Sequence, residues 1–250
     1  MVSIPDPGLE GRRILVVGAA QGIGRATAVQ LSNVGAELIL ADIGDCAETA
    51  AACQGSPRVE RLDLSDKAAT EALVAAHATD RLPLYGLVNC AGLLLRRPLD
   101  ATSEDDFARQ IAVNQSGSFY LARAVLAHMQ AQGGGRIVLY TSQGAFTGGF
   151  YGSIPYAMTK AAVTALIKSF SRMGAPHGVT VNAVAPGAAD TAMFRGGMSA
   201  EDIANFTRQI PMGRVAHPDE VALPTVFLMS RWASYVTGTT MHVNGGQYLA

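Results

Sequence analysis

Cysteine, tryptophan and charge are all scarce in this chain: three cysteines, one tryptophan and 16 % charged residues in 250 positions. Cys46, Cys53 and Cys90 are an odd set without a C-x-x-C pair. That excludes a disulfide framework or a cysteine zinc knuckle and predicts free thiols in a reducing compartment. Charge of one sign is also missing, with 19 Lys plus Arg against 20 Asp plus Glu, so the chain has no electrostatic footprint for nucleic acid or an anionic membrane. His77, His128, His177, His217 and His242 lie far apart without ligand-like spacing, and no metal site is expected. No apolar run reaches the length of a transmembrane helix. The first ten residues carry Asp6 and two prolines where a signal peptide needs an apolar stretch, so a cytoplasmic location is expected.

Hydrophobic residues, by contrast, make up 49 % of the chain. The length suits one large domain over residues 1–250, and so high an apolar fraction predicts either a deep core or extra surface buried between subunits, a homo-oligomer being the cheaper explanation. Short β-branched runs alternate with longer stretches of helical period, the pattern of stacked βαβ units. Strands are predicted at 12–17, 37–41, 59–62, 84–89, 136–140, 179–184 and 240–243. Helices are predicted at 24–34, 45–53, 66–77, 103–130, 156–173 and 218–230, with another near 200–209. Continuously apolar strands such as Ile14 to Val17 are those of a parallel sheet covered on both faces. The expected fold is therefore α/β: a doubly wound, seven-stranded parallel sheet. The irregular segment 186–198 is the longest connection and, within about 186–215, a candidate lid.

The first strand runs into Gly18-Ala-Ala-Gln21-Gly22-Ile23-Gly24 and then a helix, where a glycine turn can bring backbone N–H groups and a helix N-terminus against a pyrophosphate. The second strand ends at Asp42, placed to accept hydrogen bonds from both hydroxyls of an adenosine ribose and to repel a 2′-phosphate. With no Arg or Lys at 17–24 or 43–46, NAD is expected rather than NADP. Asp63 and Leu64 follow the third strand, and Asn89, Ala91 and Gly92 follow the fourth, at carboxyl ends where such sheets bind ligands. Further on, Tyr156 and Lys160 stand at i and i+4 on one helix face. A cation beside a phenol stabilises phenolate and brings its pKa towards the range where it can take a proton from an alcohol.

Gly18-x-x-x-Gly22-Ile-Gly24, Asn89-Cys90-Ala91-Gly92, Asn114, Ser142, Tyr156-x-x-x-Lys160 and Pro186-Gly187 occur in the order seen in the short-chain dehydrogenase/reductase family, which the chain resembles over nearly its whole length. The segment Tyr235 to Gly246 also resembles that family's last strand. The resemblance implies a Rossmann-type fold and a catalytic tetrad. In it Tyr156 exchanges the substrate proton, Lys160 lowers its pKa and holds the nicotinamide ribose, Ser142 orients the substrate oxygen, and Asn114 holds a water of a proton relay. It implies too that Pro186, Gly187 and Thr191 border the nicotinamide, with Thr191 on its carboxamide. Three positions depart from the pattern: Val17 where Thr is usual, Cys90 where a second Asn is usual, and one extra residue between Ser142 and Tyr156, expected within 146–154. Thr141 is the rival for the hydroxyl role.

The expected substrate wall, Leu93 to Leu95, Gln143 to Phe150, Tyr151, Ile154 and Met193 to Met198, is mostly apolar, with Gln143, Tyr151 and Arg195 available for hydroxyls or a carboxylate. The leading expectation is an NAD-linked dehydrogenase of a polyol, sugar derivative or hydrophobic secondary alcohol, acting on a small molecule. A ketoreductase of oxoacyl thioesters is the rival, since Pro211-Met-Gly-Arg214 and His217-Pro-Asp-Glu220 resemble stretches in such enzymes. A nucleotide-binding regulator without chemistry is a third reading. Small residues on the Tyr156 helix (Ala157, Ala161, Ala162, Ala165) predict a subunit interface with the long helix before it, in a dimer or tetramer.

Overall fold

Strand and helix alternate through a computed structural model of the chain, which describes residues 6–79, 83–149 and 153–249. The N-terminal half comprises β1 (Arg13–Val17), α1 (Gly22–Asn33), β2 (Glu37–Asp42), α2 (Ala47–Ala52), β3 (Arg58–Arg61), α3 (Lys67–His77) and β4 (Leu84–Asn89). A long helical stretch follows: α4 (Glu104–Gln110), a π-helical segment (Ile111–Gly117) and α5 (Ser118–Gln132). The rest is β5 (Gly135–Tyr140), α6 (Gly144–Thr147), α7 (Ile154–Gly174), β6 (Val179–Pro186), α8 (Ala192–Arg195), α9 (Ala200–Arg208), α10 (Pro218–Met229) and β7 (Thr240–Val243).

The seven strands form one parallel sheet in the order β3-β2-β1-β4-β5-β6-β7. The order reverses between β1 and β4, so a crevice opens at their carboxyl ends, where such sheets bind ligands. Side chains alternate across the sheet. Leu15 and Val17 pack with residues of α3, α5 and α7 on one face, and Ile14 and Val16 pack with residues of α1 and α10 on the other. Both faces are covered, which is why β1 reads as an apolar run from Ile14 to Val17 and every residue of β6 is buried. Edge strand β3, largely exposed, does not.

The helix expected over 103–130 is helical throughout from Glu104 to Gln132, but its middle is wound as π-helix. Period alone cannot reveal that. The extra residue per turn is stabilised by what its side chains reach, above all Asn114. Two short helices, α6 and α8, fall in segments expected to be irregular. The segment 186–198 begins inside β6 and contains α8, capped by the Thr191 side chain, which accepts from the Phe194 N–H at 3.2 Å.

Candidate active site

Two adjoining compartments open at the carboxyl ends of the strands. In the first, β1 ends at Val17 and the chain turns into α1. Gly18 has φ +81°, and a Cβ there would lie 2.5 Å from the Ala91 nitrogen. A Cβ on Gly24 would lie 1.9 Å from the Gly18 carbonyl oxygen. Only glycine lets this turn pack so closely on the loop after β4. Gln21 gives α1 no side-chain cap, and its first turn has no acidic residue, so the N–H groups and the positive end of the helix dipole remain for an anion. Gly18, Gln21, Gly22, Ile23 and Gly24 all line this cleft, of about 420 Å³.

At its far end stands Asp42. One carboxylate oxygen accepts from the Ala20 N–H at 2.9 Å and the other from the Gly44 N–H at 2.8 Å, which fixes the side chain while leaving each oxygen a free lone pair. Arg25, one turn into α1, pairs with Glu48 at 2.9 Å. Asp63 accepts from the Ser65 N–H and hydroxyl at 2.9 and 2.7 Å and lines the same cleft, with Leu64, Ala91 and Gly92. Asn89 does not. It is buried, donates to Ser118 Oγ at 3.0 Å and accepts from the Ala91 N–H at 3.1 Å, so it shapes the turn that forms the cleft wall.

The second compartment is lined by Ser142, Tyr156, Lys160, Pro186 and Gly187, and Thr191 borders both. Thr141 and Ser142, the two candidates for the hydroxyl role, make different contacts. Thr141 follows β5 with its side chain turned inward, buried, donating to the Lys160 carbonyl at 2.8 Å and bonded to Thr164 Oγ1 at 3.0 Å. Ser142 lines the cavity with Tyr156, whose pKa it lowers, and its Oγ accepts from the Gly144 N–H at 3.1 Å. Burial pushes the Tyr156 phenol up to about 12, against the Ser142 hydrogen bond and the positive charge of Arg96, both of which lower it. Lys160 is buried, pulled down to about 8 by desolvation, and donates to the Tyr140 carbonyl at 2.8 Å, with its ammonium 5.6 Å from the centre of the Tyr156 ring.

Asn114 is buried and works through the backbone opposite it. Its side chain accepts from the Leu93 N–H at 2.7 Å and donates to the Leu93 carbonyl at 2.9 Å and to Thr159 Oγ1 at 3.0 Å. Thr159 in turn donates to the Tyr156 carbonyl at 2.8 Å. One amide in the π-helical turn thus ties the loop after β4 to the helix that carries Tyr156 and Lys160. Its side-chain amide positions both elements. Cys90, half-buried just after β4 and lining both compartments, has its thiol pushed up to about 12, chiefly by desolvation, so it is protonated at neutral pH.

The apolar wall comes mainly from the segment after β6, through Met193, Phe194, Met198 and Phe206, with Leu94. Phe146 points elsewhere, stacked on Tyr248 at 5.5 Å and against His242 at 4.7 Å. Arg195 turns away too, in a bidentate pair with Asp190 at 2.6 and 2.9 Å. Phe150 and Tyr151, and part of the segment expected to hold the extra residue, lie outside the described residues. The sequence expectation missed Arg96, which lines the compartment one position beyond the wall predicted at 93–95. Leu93 and Leu95 have their N–H groups held by Asn114 and Gln110, so the extended chain presents alternate residues, Leu94 and Arg96, to the cavity.

The family model described as enoyl-(acyl carrier protein) reductase matches residues 18–247. The chain is 34 % identical over 249 residues to 2-keto-3-deoxy-L-fuconate dehydrogenase of Xanthomonas campestris pv. campestris, covering 97 % of this chain and 82 % of that protein. It is 35 % identical over 250 residues to the 3-oxoacyl-acyl-carrier-protein reductase FabG of Salmonella typhimurium, covering 96 % and 98 %. Among solved structures, a protein of Beutenbergia cavernae assigned as an NAD(P)-dependent gluconate 5-dehydrogenase, with NADP bound at low occupancy, superposes with a TM-score of 0.89 at 35 % identity, covering 97 % of this chain and 99 % of that one.

Proposed function

The chain belongs to the short-chain dehydrogenase/reductase family, and from that premise we propose that it is an NAD-linked dehydrogenase of a small secondary alcohol, with Tyr156 as its proton carrier. The observation that carries this reading is the convergence of Ser142, Tyr156 and Lys160 on one cavity beside an uncapped helix N-terminus. A bound nicotinamide dinucleotide supplies the hydride acceptor or donor. The turn at Gly18 to Gly24 would hold its pyrophosphate, Asp42 its adenosine ribose and Lys160 its nicotinamide ribose. Thr191 would meet the carboxamide.

Within the protein the chemistry is a proton transfer at one phenol. Ser142 holds the substrate oxygen beside the Tyr156 hydroxyl. Going from ketone to alcohol, Tyr156 gives its proton to that oxygen; going from alcohol to ketone, it takes the proton back. A phenol lifted by burial is protonated at neutral pH, which suits donation, so oxidation gains rate as the pH rises. Proximity and the charge placed near the developing alkoxide supply the remaining acceleration.

Asp42 supports NAD over NADP, because an anchored carboxylate would repel a 2′-phosphate and the Arg25 charge is taken by Glu48. The reductase reading of oxoacyl thioesters draws on the likeness to FabG; here Arg214 of the stretch shared with such enzymes is held by Glu220 at 2.6 Å, at the start of α10. We place the enzyme in a homo-oligomer built on α5 and α7, where Phe119, Ala161 and Ala165 are exposed. Its compartment is the cytoplasm, in keeping with three free thiols and no helix among the described residues long and apolar enough to cross a membrane.

The test is formation of reduced nicotinamide with NAD and a panel of secondary alcohols, polyols and sugar acids, and its consumption with the matching ketones and oxoacyl thioesters. Turnover of alcohols, better with NAD than NADP, supports the proposal. Turnover confined to thioesters overturns it in favour of the reductase. Dinucleotide binding without any turnover leaves the regulator.

A further inference from the structure

Arg96 lines the catalytic compartment, where its positive charge lowers the Tyr156 pKa, and the way its guanidinium is used singles it out. One terminal nitrogen, Nη1, donates to two lid carbonyls, that of Met193 at 3.0 Å and that of Gly196. Those bonds occupy one corner of the planar group. The opposite edge, formed by Nε and Nη2, is the pair of parallel N–H donors that matches a carboxylate. Nε is buried without a hydrogen-bond partner, and no carboxylate among the described residues pairs with Arg96.

Every other arginine close in sequence is treated differently. Arg97 pairs with Asp106 at 3.2 Å, Arg109 with Asp105 at 3.9 Å and, on the lid, Arg195 with Asp190 at 2.6 Å. A half-buried guanidinium whose carboxylate-matching edge carries an unpartnered N–H costs stability unless a ligand completes it. Gln143, which also lines the compartment, is 5 % exposed, and its Oε1 is likewise buried and without a partner. A cavity lined by a guanidinium with an unpartnered N–H, an amide with an unpartnered oxygen, Ser142 and Tyr156 complements a molecule carrying both a carboxylate and hydroxyl groups.

We propose that the substrate is a small hydroxy acid of the sugar-acid type, its carboxylate held by the Nε and Nη2 edge of Arg96 and a hydroxyl by Gln143 Oε1. The inference rests on the dehydrogenase reading above and narrows its substrate. Because the same guanidinium holds Met193 and Gly196, carboxylate binding and lid position are coupled through one residue. A neutral thioester would leave that edge of Arg96 unmatched.

The experiment compares D-gluconate with D-glucitol, which replaces the carboxylate by a hydroxymethyl group, together with 3-deoxyaldonates. The wild type, Arg96→Gln and Arg96→Lys are assayed with NAD, and calorimetry measures binding of each acid. The wild type is expected to prefer an acid over the alditol. In Arg96→Gln the ratio of kcat/KM for acid over alditol is expected to fall by roughly 10- to 100-fold, chiefly through KM, with Arg96→Lys recovering part of it. An equal fall for both substrates makes Arg96 a lid tie only and overturns the proposal. So does a wild type that oxidises alditols and ignores acids, which leaves the dehydrogenase reading standing. Acid binding that depends on Arg96 without any turnover supports the carboxylate site while removing the dehydrogenase reading.

Discussion

The two compartments at the carboxyl ends of the sheet are built by different means. The dinucleotide cleft is a product of backbone: a glycine turn, a helix N-terminus and strand ends, with Asp42 pinned by two amides. The catalytic compartment is a product of side chains from elements far apart in sequence: Arg96 after β4, Ser142 after β5, Tyr156 and Lys160 on α7, and the lid helices α8 and α9. A cleft made of backbone varies little as long as its glycines stay. A wall made of side chains can be rewritten residue by residue. One fold can therefore keep its cofactor chemistry and change its substrate.

Substitutions on the two sides should separate most sharply at the reacting atoms. Tyr156→Phe is expected to lower kcat by about 10²- to 10⁴-fold while calorimetric dinucleotide affinity stays near that of the wild type. Gly24→Ala, whose new Cβ has no room beside the Gly18 carbonyl, should do the reverse and lose dinucleotide binding first. Equal losses of binding and turnover in both variants would dissolve the distinction between the compartments.

Asn114 lies where the two meet, and Asn114→Ala leaves the Leu93 N–H and carbonyl unsatisfied. A loss of about 1–3 kcal/mol of stability is expected, read by denaturant unfolding, with kcat falling as well because Leu93 and Tyr156 lose their shared anchor. Unchanged stability would mean that water replaces the amide. Next in size, Asp42→Ala should cut the preference for NAD over NADP by roughly 10-fold or more, read as a ratio of kcat/KM, with little change in the response to substrate.

The smallest effect is on pH. The Arg96 charge lowers the Tyr156 pKa, so its loss raises it. Oxidation needs the phenol deprotonated, and its rate climbs as the pH rises towards that pKa. In Arg96→Gln, with the uncharged D-glucitol as substrate, the climb should move to higher pH. A profile that stays in place would show that Arg96 acts on the substrate alone. A shift towards lower pH would contradict the electrostatics.

The cleft was largely legible because backbone demands leave a mark on residue type. Gly18 and Gly24 are glycines since nothing else fits, and Asp42 falls where a strand ends. Tyr156 and Lys160 were legible because helical spacing puts i and i+4 together. Ser142 could be chosen over Thr141 only from the direction each side chain takes at the end of β5: Thr141 goes inward to the Lys160 carbonyl. Asn89 illustrates the opposite error. Its position after β4 predicts a cleft residue, but its side chain turns to Ser118 and shapes the wall from behind.

The alternation of strand and helix, the seven parallel strands and the glycine turn can be read from the chain alone, because periodicity and glycine placement are local properties. Tertiary structure alone decided that the middle of the long helix winds as π-helix so that Asn114 reaches Leu93, that Arg195 spends its charge on Asp190, and that Arg96 keeps an edge unspent beside Tyr156. The physical reason is the same in each case. A polar side chain's role depends on which partners satisfy it, and those partners come from segments that only the folded chain brings within hydrogen-bond reach.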